Sequence, residues 1–165
     1  MTQTELIAKA KKIKLVLTDC DGVLTDSGVY YGAEGEVFKR FSIRDGMGVE
    51  LLRKKNIATG IVTGEVSPSV KKRAEKLQIT ELYLGIKNKP EILEQILLKN
   101  NVSSEEVAYI GDDVNDYEIL QMVGLSACPA DAVEKVQKIV HMHCKSPGGH
   151  GCFRELAELI LMAQS

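Results

Sequence analysis

The stretch "LVLTDCDGVLTD", residues 15–26, ends an apolar run on two carboxylates one residue apart, Asp19 and Asp21, and then turns on a glycine. Other apolar runs end on polar groups in the same way. "IATGIVT" delivers Thr63 and Gly64, "EVAYIG" delivers Asp112 and Asp113 with Asp116 a helical turn further on, and Lys89 begins a helical segment after "ELYLG". Singly, these are ordinary residues: caps and turn aspartates, a strand-end threonine, a solvated lysine. Together they sit beyond successive strands, and in an open parallel sheet the ligand crevice lies beyond the carboxyl ends of the strands. Three or four carboxylates meeting there repel one another unless a cation balances them. Hard oxygen ligands without His or Cys favour magnesium. A cation, Lys89 and the Thr63 hydroxyl could hold a phosphoryl group, and a carboxylate aligned with it is a competent nucleophile toward phosphorus. One aspartate of the first pair would attack while the other handles the proton.

The elements that must position these groups are legible as an alternation. Short Val- and Ile-rich runs, 13–18, 57–63, 81–85, 106–111 and 124–129, predict strands, and the amphipathic segments 44–56, 67–78, 89–101, 113–123 and 153–163 predict helices. This is the pattern of repeated β-α units around a parallel sheet, an α/β fold in one domain spanning 1–165. Ser67 followed by Pro68 marks one helix start. One insertion breaks the alternation: "GVYYGAEGEVFKRF", 28–41, predicts a β-hairpin whose edges another subunit could cover. The segment "KSPGGHG", 145–151, reads as a flexible loop or a tight turn before the last helix. Cys20 faces away from its neighbours by period-two alternation and is expected to pack in the core.

Composition excludes several classes. A hydrophobic content of 44% and a charged content of 27% are globular values, and a net charge of −2 gives no field for a polyanion, so no nucleic-acid partner is expected. No run approaches the roughly 20 apolar residues of a membrane span, and "MTQTELIAKAKKIK" has no signal-peptide core, so a soluble cytoplasmic protein without a membrane partner is expected. Four cysteines without a CxxC pair read as reduced thiols. "HMHC", 141–144, lacks a second ligand pair at finger-like spacing and reads as the end of a late strand rather than a zinc site. A dinucleotide-binding reading fails because "DCDGVLTD" occupies the position of the glycine-rich turn.

"DCDGVLTD", "IVTG", Lys89 in "NKPE" and "GDDVND" resemble, in order and strand context, the four motifs of the haloacid dehalogenase superfamily of phosphohydrolases, over nearly the whole chain. The resemblance implies a Rossmann-like three-layer α/β/α fold. It implies Asp19 as the nucleophile that forms an aspartyl-phosphate, and Asp21 as general acid and then base. Magnesium would be held by Asp19, the carbonyl of Asp21 and Asp112, with Asp113 or Asp116 steadying the shell. Thr63, Gly64 and Lys89 would bind the phosphoryl group.

Cap domains, frequent in that superfamily, have no room here: the first insertion is only a hairpin. With "SIRDGMGV" and "GGHGCFRE", the chain is similar to the sugar-acid branch, typified by phosphatases of 3-deoxy-D-manno-octulosonate 8-phosphate. Members of that branch form homotetramers in which hairpins associate and a neighbouring subunit covers each active site. Their substrates, phosphorylated 2-keto-3-deoxy sugar acids, carry a carboxylate distant from the phosphate. Arg44, Lys76 and Arg154 are the candidates to meet it, each equally readable as a surface charge. After "TG" the chain has Glu65 where the octulosonate pattern has arginine. Glutamate there, with Lys76 further along the same helix, resembles relatives that act on 2-keto-3-deoxynononate or acylneuraminate 9-phosphates. The octulosonate reading stands first, the nine-carbon reading second. An idle assembly module, like the phosphatase-like domains attached to some acylneuraminate cytidylyltransferases, would lose motif carboxylates that this chain retains.

Overall fold

Thr2 opens the chain's first helix, α1 (Gln3–Ala10), with a reciprocal cap in which its hydroxyl accepts from Glu5 N while the Glu5 carboxylate accepts from Thr2 N. The computed structural model, which describes residues 1–165, then enters the sheet at β1 (Leu15–Thr18) and leaves its tip into an antiparallel hairpin, β2 (Thr25–Gly32) and β3 (Gly35–Phe41). The remainder alternates: α2 (Ile43–Lys54), β4 (Ala58–Val62), α3 (Pro68–Leu77), β5 (Glu81–Tyr83), α4 (Lys89–Asn100), β6 (Val107–Ile110), α5 (Tyr117–Met122), β7 (Leu125–Cys128), α6 (Glu134–Gln137), β8 (Met142–His143) and α7 (Cys152–Ala163).

The six parallel strands are ordered β5-β4-β1-β6-β7-β8. From β1 the chain builds outward through β4 and β5, then returns to the other side of β1 at β6, so strand order reverses between β1 and β6. That reversal opens the crevice in which such sheets bind ligands. Alternation along β1 and β6 sends Leu15, Leu17, Val107 and Tyr109 to one face, with Leu93 and Ile96 of α4 and Ile119 of α5. Val16, Ala108 and Ile110 go to the other, with Val49 and Leu52 of α2, Val70 of α3 and Phe153 and Leu156 of α7. Two aliphatic cores thus clamp the sheet, the three-layer arrangement expected. Cys20 is buried in the second of them, and all four cysteines are free and buried.

Several expectations are refined. The hairpin begins at Thr25, three residues before the predicted start, and closes on Ala33 and Glu34. The predicted helix over 113–123 is a 3-10 turn, Val114–Asp116, followed by α5. The segment 145–151 is a tight turn held by many bonds: Gly149 N donates to Val23 O at 2.8 Å, Gly148 N to Asp131 Oδ1 at 2.9 Å, and Ser146 N to Glu155 Oε1 at 2.8 Å. A Cβ at Gly148 would lie 2.1 Å from Gly22 O, so this turn is pressed against the loop after β1. Met142 and His143 of the "HMHC" cluster form the short edge strand β8. No helix is long and apolar enough to cross a membrane.

Candidate active site at the strand tips

Asp19 follows β1 directly, and its amide continues the β ladder to Ile110 O at 3.0 Å. Its side chain is buried; Oδ1 accepts from Cys20 N at 2.6 Å and Oδ2 lies 3.1 Å from Lys89 Nζ. Lys89 reaches it because Asn88 caps α4, its side chain accepting from Glu91 N at 3.3 Å, which fixes Lys89 in the first turn. The ammonium is buried and also meets Asp116 Oδ1 at 2.6 Å and the Tyr109 hydroxyl at 3.0 Å. Asp116 is fully satisfied: Tyr109 donates to Oδ1 at 2.6 Å, and the amides of Asp112 and Asp113 donate to Oδ2 at 3.0 and 3.5 Å. It thereby ties the loop after β6 to the lysine beneath Asp19. Asp113 is exposed and accepts from Val114 N at 2.6 Å, capping the 3-10 turn.

Asp112 differs. Its Oδ1 is buried with no hydrogen-bond partner, and oxygens of Asp19, Asp112 and Asp116 lie within 4.8 Å of one another. A buried carboxylate oxygen without a donor is costly unless a cation meets it. Burial pushes Asp112 up to about 8, helped by the charges of Asp19 and Asp116. Burial, with the Asp116 charge, also pushes Asp19 up to about 7 against the pull of Lys89. An all-carboxylate set this electron-rich suits a hard divalent ion such as magnesium. Gly22 makes the cluster possible: its φ is +87°, and a Cβ there would lie 2.0 Å from Asp112 Oδ2.

Asp21 projects from the same loop to the other side. Both its oxygens accept from Lys39 Nζ at 2.7 Å, and Thr25 Oγ1 donates to Oδ1 at 3.3 Å. Lys39, on β3, was not a sequence candidate. A lysine inside a hairpin normally reads as a solvated charge, and nothing in "EVFKRF" distinguishes this one. Across the cleft, the buried Thr63 hydroxyl accepts from Glu65 N at 3.3 Å, and Lys87 Nζ donates to Gly64 O at 3.2 Å.

The structure brings Asp19, Asp21, Thr63, Gly64, Glu65, Asp112 and Asp113 to one open cleft of about 390 Å³, with Ser27 and Asn115 on its rim. Ser27 holds a left-handed backbone, φ 62°. Lys89 and Asp116 lie beneath. Three predicted substrate residues do not line this cleft. Arg44 is exposed on α2, and Arg154 pairs with Glu158 at 2.8 Å along α7. Between them the buried Asp45 accepts the amides of Gly151 and Arg154 at 3.1 and 3.0 Å, so that stretch of "SIRDGMGV" caps α7. Lys76 is exposed in the last turn of α3. Eight residues of helix carry it roughly 12 Å away from the end of α3 nearest the cleft.

Residues 76–156 match the family described as haloacid dehalogenase-like hydrolase. The chain is 39% identical over 160 residues to 3-deoxy-D-manno-octulosonate 8-phosphate phosphatase KdsC of Escherichia coli (strain K12), covering 97% of this chain and 85% of that one. It superimposes with a TM-score of 0.95 and 34% identity on the 3-deoxy-D-manno-octulosonate 8-phosphate phosphatase of Moraxella catarrhalis, solved in complex with a magnesium ion, a phosphate ion and a KDO molecule; the match covers 99% of this chain and 94% of that chain. A cobalt-bound deoxy-D-mannose-octulosonate 8-phosphate phosphatase from Haemophilus influenzae matches at a TM-score of 0.92 and 38% identity, covering 94% of this chain and 91% of that one.

Proposed function

The chain belongs to the haloacid dehalogenase-like hydrolase family, and from that membership we propose a magnesium-dependent phosphatase that hydrolyses the phosphate monoester of a 2-keto-3-deoxy sugar acid, 3-deoxy-D-manno-octulosonate 8-phosphate first. One observation carries the reading. A buried carboxylate, Asp19, is 3.1 Å from a buried lysine and shares its crevice with Asp112, whose Oδ1 has no donor. That places a candidate nucleophile beside carboxylate oxygens that fit a cation.

Asp19 attacks phosphorus; the bond from phosphorus to the sugar oxygen breaks, and the leaving oxygen takes a proton from Asp21. Water then attacks the aspartyl-phosphate and gives its proton to Asp21, and the electron pair of the broken bond returns to the Asp19 carboxylate with release of inorganic phosphate. Thr63, Gly64 and Lys89 hold the phosphoryl oxygens. Asp19, Asp112 and the Asp21 carbonyl are the groups to hold magnesium, whose charge offsets that of the phosphoryl oxygens and eases approach of the nucleophile. Asp116, both of whose oxygens are already engaged, steadies Asp112 through its amide, and Asp113 supports the same loop.

Glu65, exposed on the cleft, favours one second reading, the nine-carbon substrates: a carboxylate accepts hydrogen bonds from sugar hydroxyls but cannot pair with an anion. Phosphate release with magnesium from octulosonate 8-phosphate, nononate 9-phosphate and acylneuraminate 9-phosphate tests both readings. Preference for the first supports the main reading, preference for either of the others supports the second, and no release from any removes both.

The chain assembles as a homotetramer through its hairpins, and neighbouring subunits complete the wall that Arg44, Lys76 and Arg154 do not supply within one chain. Support comes from apolar side chains that the hairpin exposes: Tyr30, Tyr31, Val37 and Phe38 are each more than half exposed, and Tyr30 stacks on Phe38 at 4.3 Å between centroids. An exposed patch of that kind marks an association surface. Light scattering is expected to give four times the 18.1 kDa chain mass. Phe38→Glu is expected to shift the protein toward smaller species. A monomer at assay concentration overturns the assembly.

A further inference from the structure

We infer that Lys39 is a positioning residue for the proposed reaction, reached from the hairpin, which fixes the Asp21 carboxylate for proton transfer. The inference rests on the reading of Asp21 as the proton carrier.

The first observation is an inversion of burial. On the hairpin, Val37 and Phe38 are 58% and 52% exposed while Lys39 is 7% exposed. Lysine is among the least often buried residues, and it is buried only when paired. Here the partner is specific. The ammonium spans both oxygens of Asp21 at 2.7 Å and is backed by Glu36 Oε2 at 3.5 Å. Glu36 is itself anchored, its Oε1 accepting from Ser67 Oγ at 2.5 Å. Ser67 in turn caps α3 through Val70 N at 3.3 Å. The contacts run Asp21, Lys39, Glu36, Ser67 and tie the loop after β1 to the start of α3.

The second observation is how the two lysines divide the carboxylates. Lys89 contacts Asp19 and Asp116, and Lys39 contacts Asp21 and Glu36. The two aspartates of "DCD" are held apart by separate cations. Asp21 must face the leaving oxygen and then water, so a rotating carboxylate would lose alignment in both steps. With both oxygens on one ammonium, either can carry the proton while the other keeps its bond to Lys39.

The test separates orientation of Asp21 from general damage by using two esters of unequal need. The sugar phosphate leaves as a poor alkoxide and requires a proton in the first step; p-nitrophenyl phosphate leaves as a stable phenolate and does not. For Lys39→Met we expect kcat on octulosonate 8-phosphate to fall about 100-fold, the lower end for a lost acid-base contribution, with KM changed less than about threefold. On p-nitrophenyl phosphate the same variant is expected to give a rapid burst of nitrophenolate near one per site, then slow turnover as the aspartyl-phosphate awaits water. Lys39→Arg, which keeps the charge and a two-pronged donor, is expected to recover most of the loss. A misfolded site lowers burst and turnover in proportion, and that result, or kcat within about threefold of wild type, overturns the inference. Should Lys39→Met not fold, Glu36→Gln removes the backing charge without emptying the site; it is expected to show the same pattern more weakly, and unchanged kinetics overturn the role. A wild-type protein inactive on both esters removes the proposed function together with this inference, whereas an active wild type with an unaltered variant removes the inference alone.

Discussion

Asp19→Asn is expected to lower turnover at least about 10⁴-fold, the scale on which a covalent nucleophile is lost, while leaving the protein folded. The amide is nearly isosteric. Its oxygen can keep the bond from Cys20 N at 2.6 Å, and Lys89 retains Asp116 at 2.6 Å and Tyr109 at 3.0 Å. What is lost is the charge that, in the proposed reaction, attacks phosphorus. Stability should also depend less on pH in the absence of metal. Burial and the Asp116 charge raise Asp19 from 3.8 to about 7, so its ionised form is disfavoured in the folded protein and stability falls as pH rises through that interval. A neutral amide does not titrate, although its Nδ2 then faces Lys89 Nζ where Oδ2 lay at 3.1 Å, so the melting temperature of the metal-free variant is expected to fall less than that of wild type between pH 5 and pH 8. Rapid-quench analysis should find no phosphoprotein. Retention of more than about a hundredth of wild-type kcat, a loss too small for a nucleophile, would remove Asp19 from the role.

The site was legible to the extent that it lies at strand ends. Asp19 and Thr63 directly follow β-formers and Asp112 follows one residue after β6, and the fold must deliver them to one edge once the strands are parallel. Lys89 was legible as the start of a helical segment after the third predicted strand, and the structure begins α4 there. Lys39 was not, because its burial depends on a hairpin folding back over the loop that carries Asp21, a contact eighteen residues away in sequence. The same limit governs Asp45, whose partners Gly151 and Arg154 lie more than a hundred residues on. Short elements were missed for another reason. α6 has four residues, too few for a periodicity to register, and α1 buries only Ala10, so its apolar pattern is weak; β8, read only as the end of a late strand, has two residues. Charges on helices, Lys76 above all, read ambiguously because a solvated lysine and a ligand lysine have the same local sequence.

Removing divalent metal is expected to abolish activity, with magnesium restoring it, and also to make stability depend on pH in a direction the carboxylates dictate. Burial, with neighbouring carboxylates, raises Asp19 to about 7 and Asp112 to about 8. Both values lie above those of the unfolded chain, near 4, so the folded protein holds protons that the unfolded chain has released. Stability of the metal-free protein therefore falls as pH rises from about 4 to 8, by a few kcal/mol. Magnesium takes the deprotonated carboxylates, so its stabilisation grows over the same interval; at 100 times its dissociation constant the gain is about 2.7 kcal/mol. Melting curves between pH 5 and 9 should fall steeply in chelator and flatten in magnesium, the two sets converging at the acid end, where protons occupy the oxygens the metal needs. The orphaned Asp112 Oδ1 makes this the sharper of two tests of the cation. A magnesium requirement for turnover alone could reflect a metal that arrives with the substrate phosphate, whereas a gain in stability without substrate requires the carboxylates to bind it themselves. Equal stabilisation at pH 5 and pH 8, or activity that survives thorough chelation, would show that Asp19 and Asp112 are not its ligands.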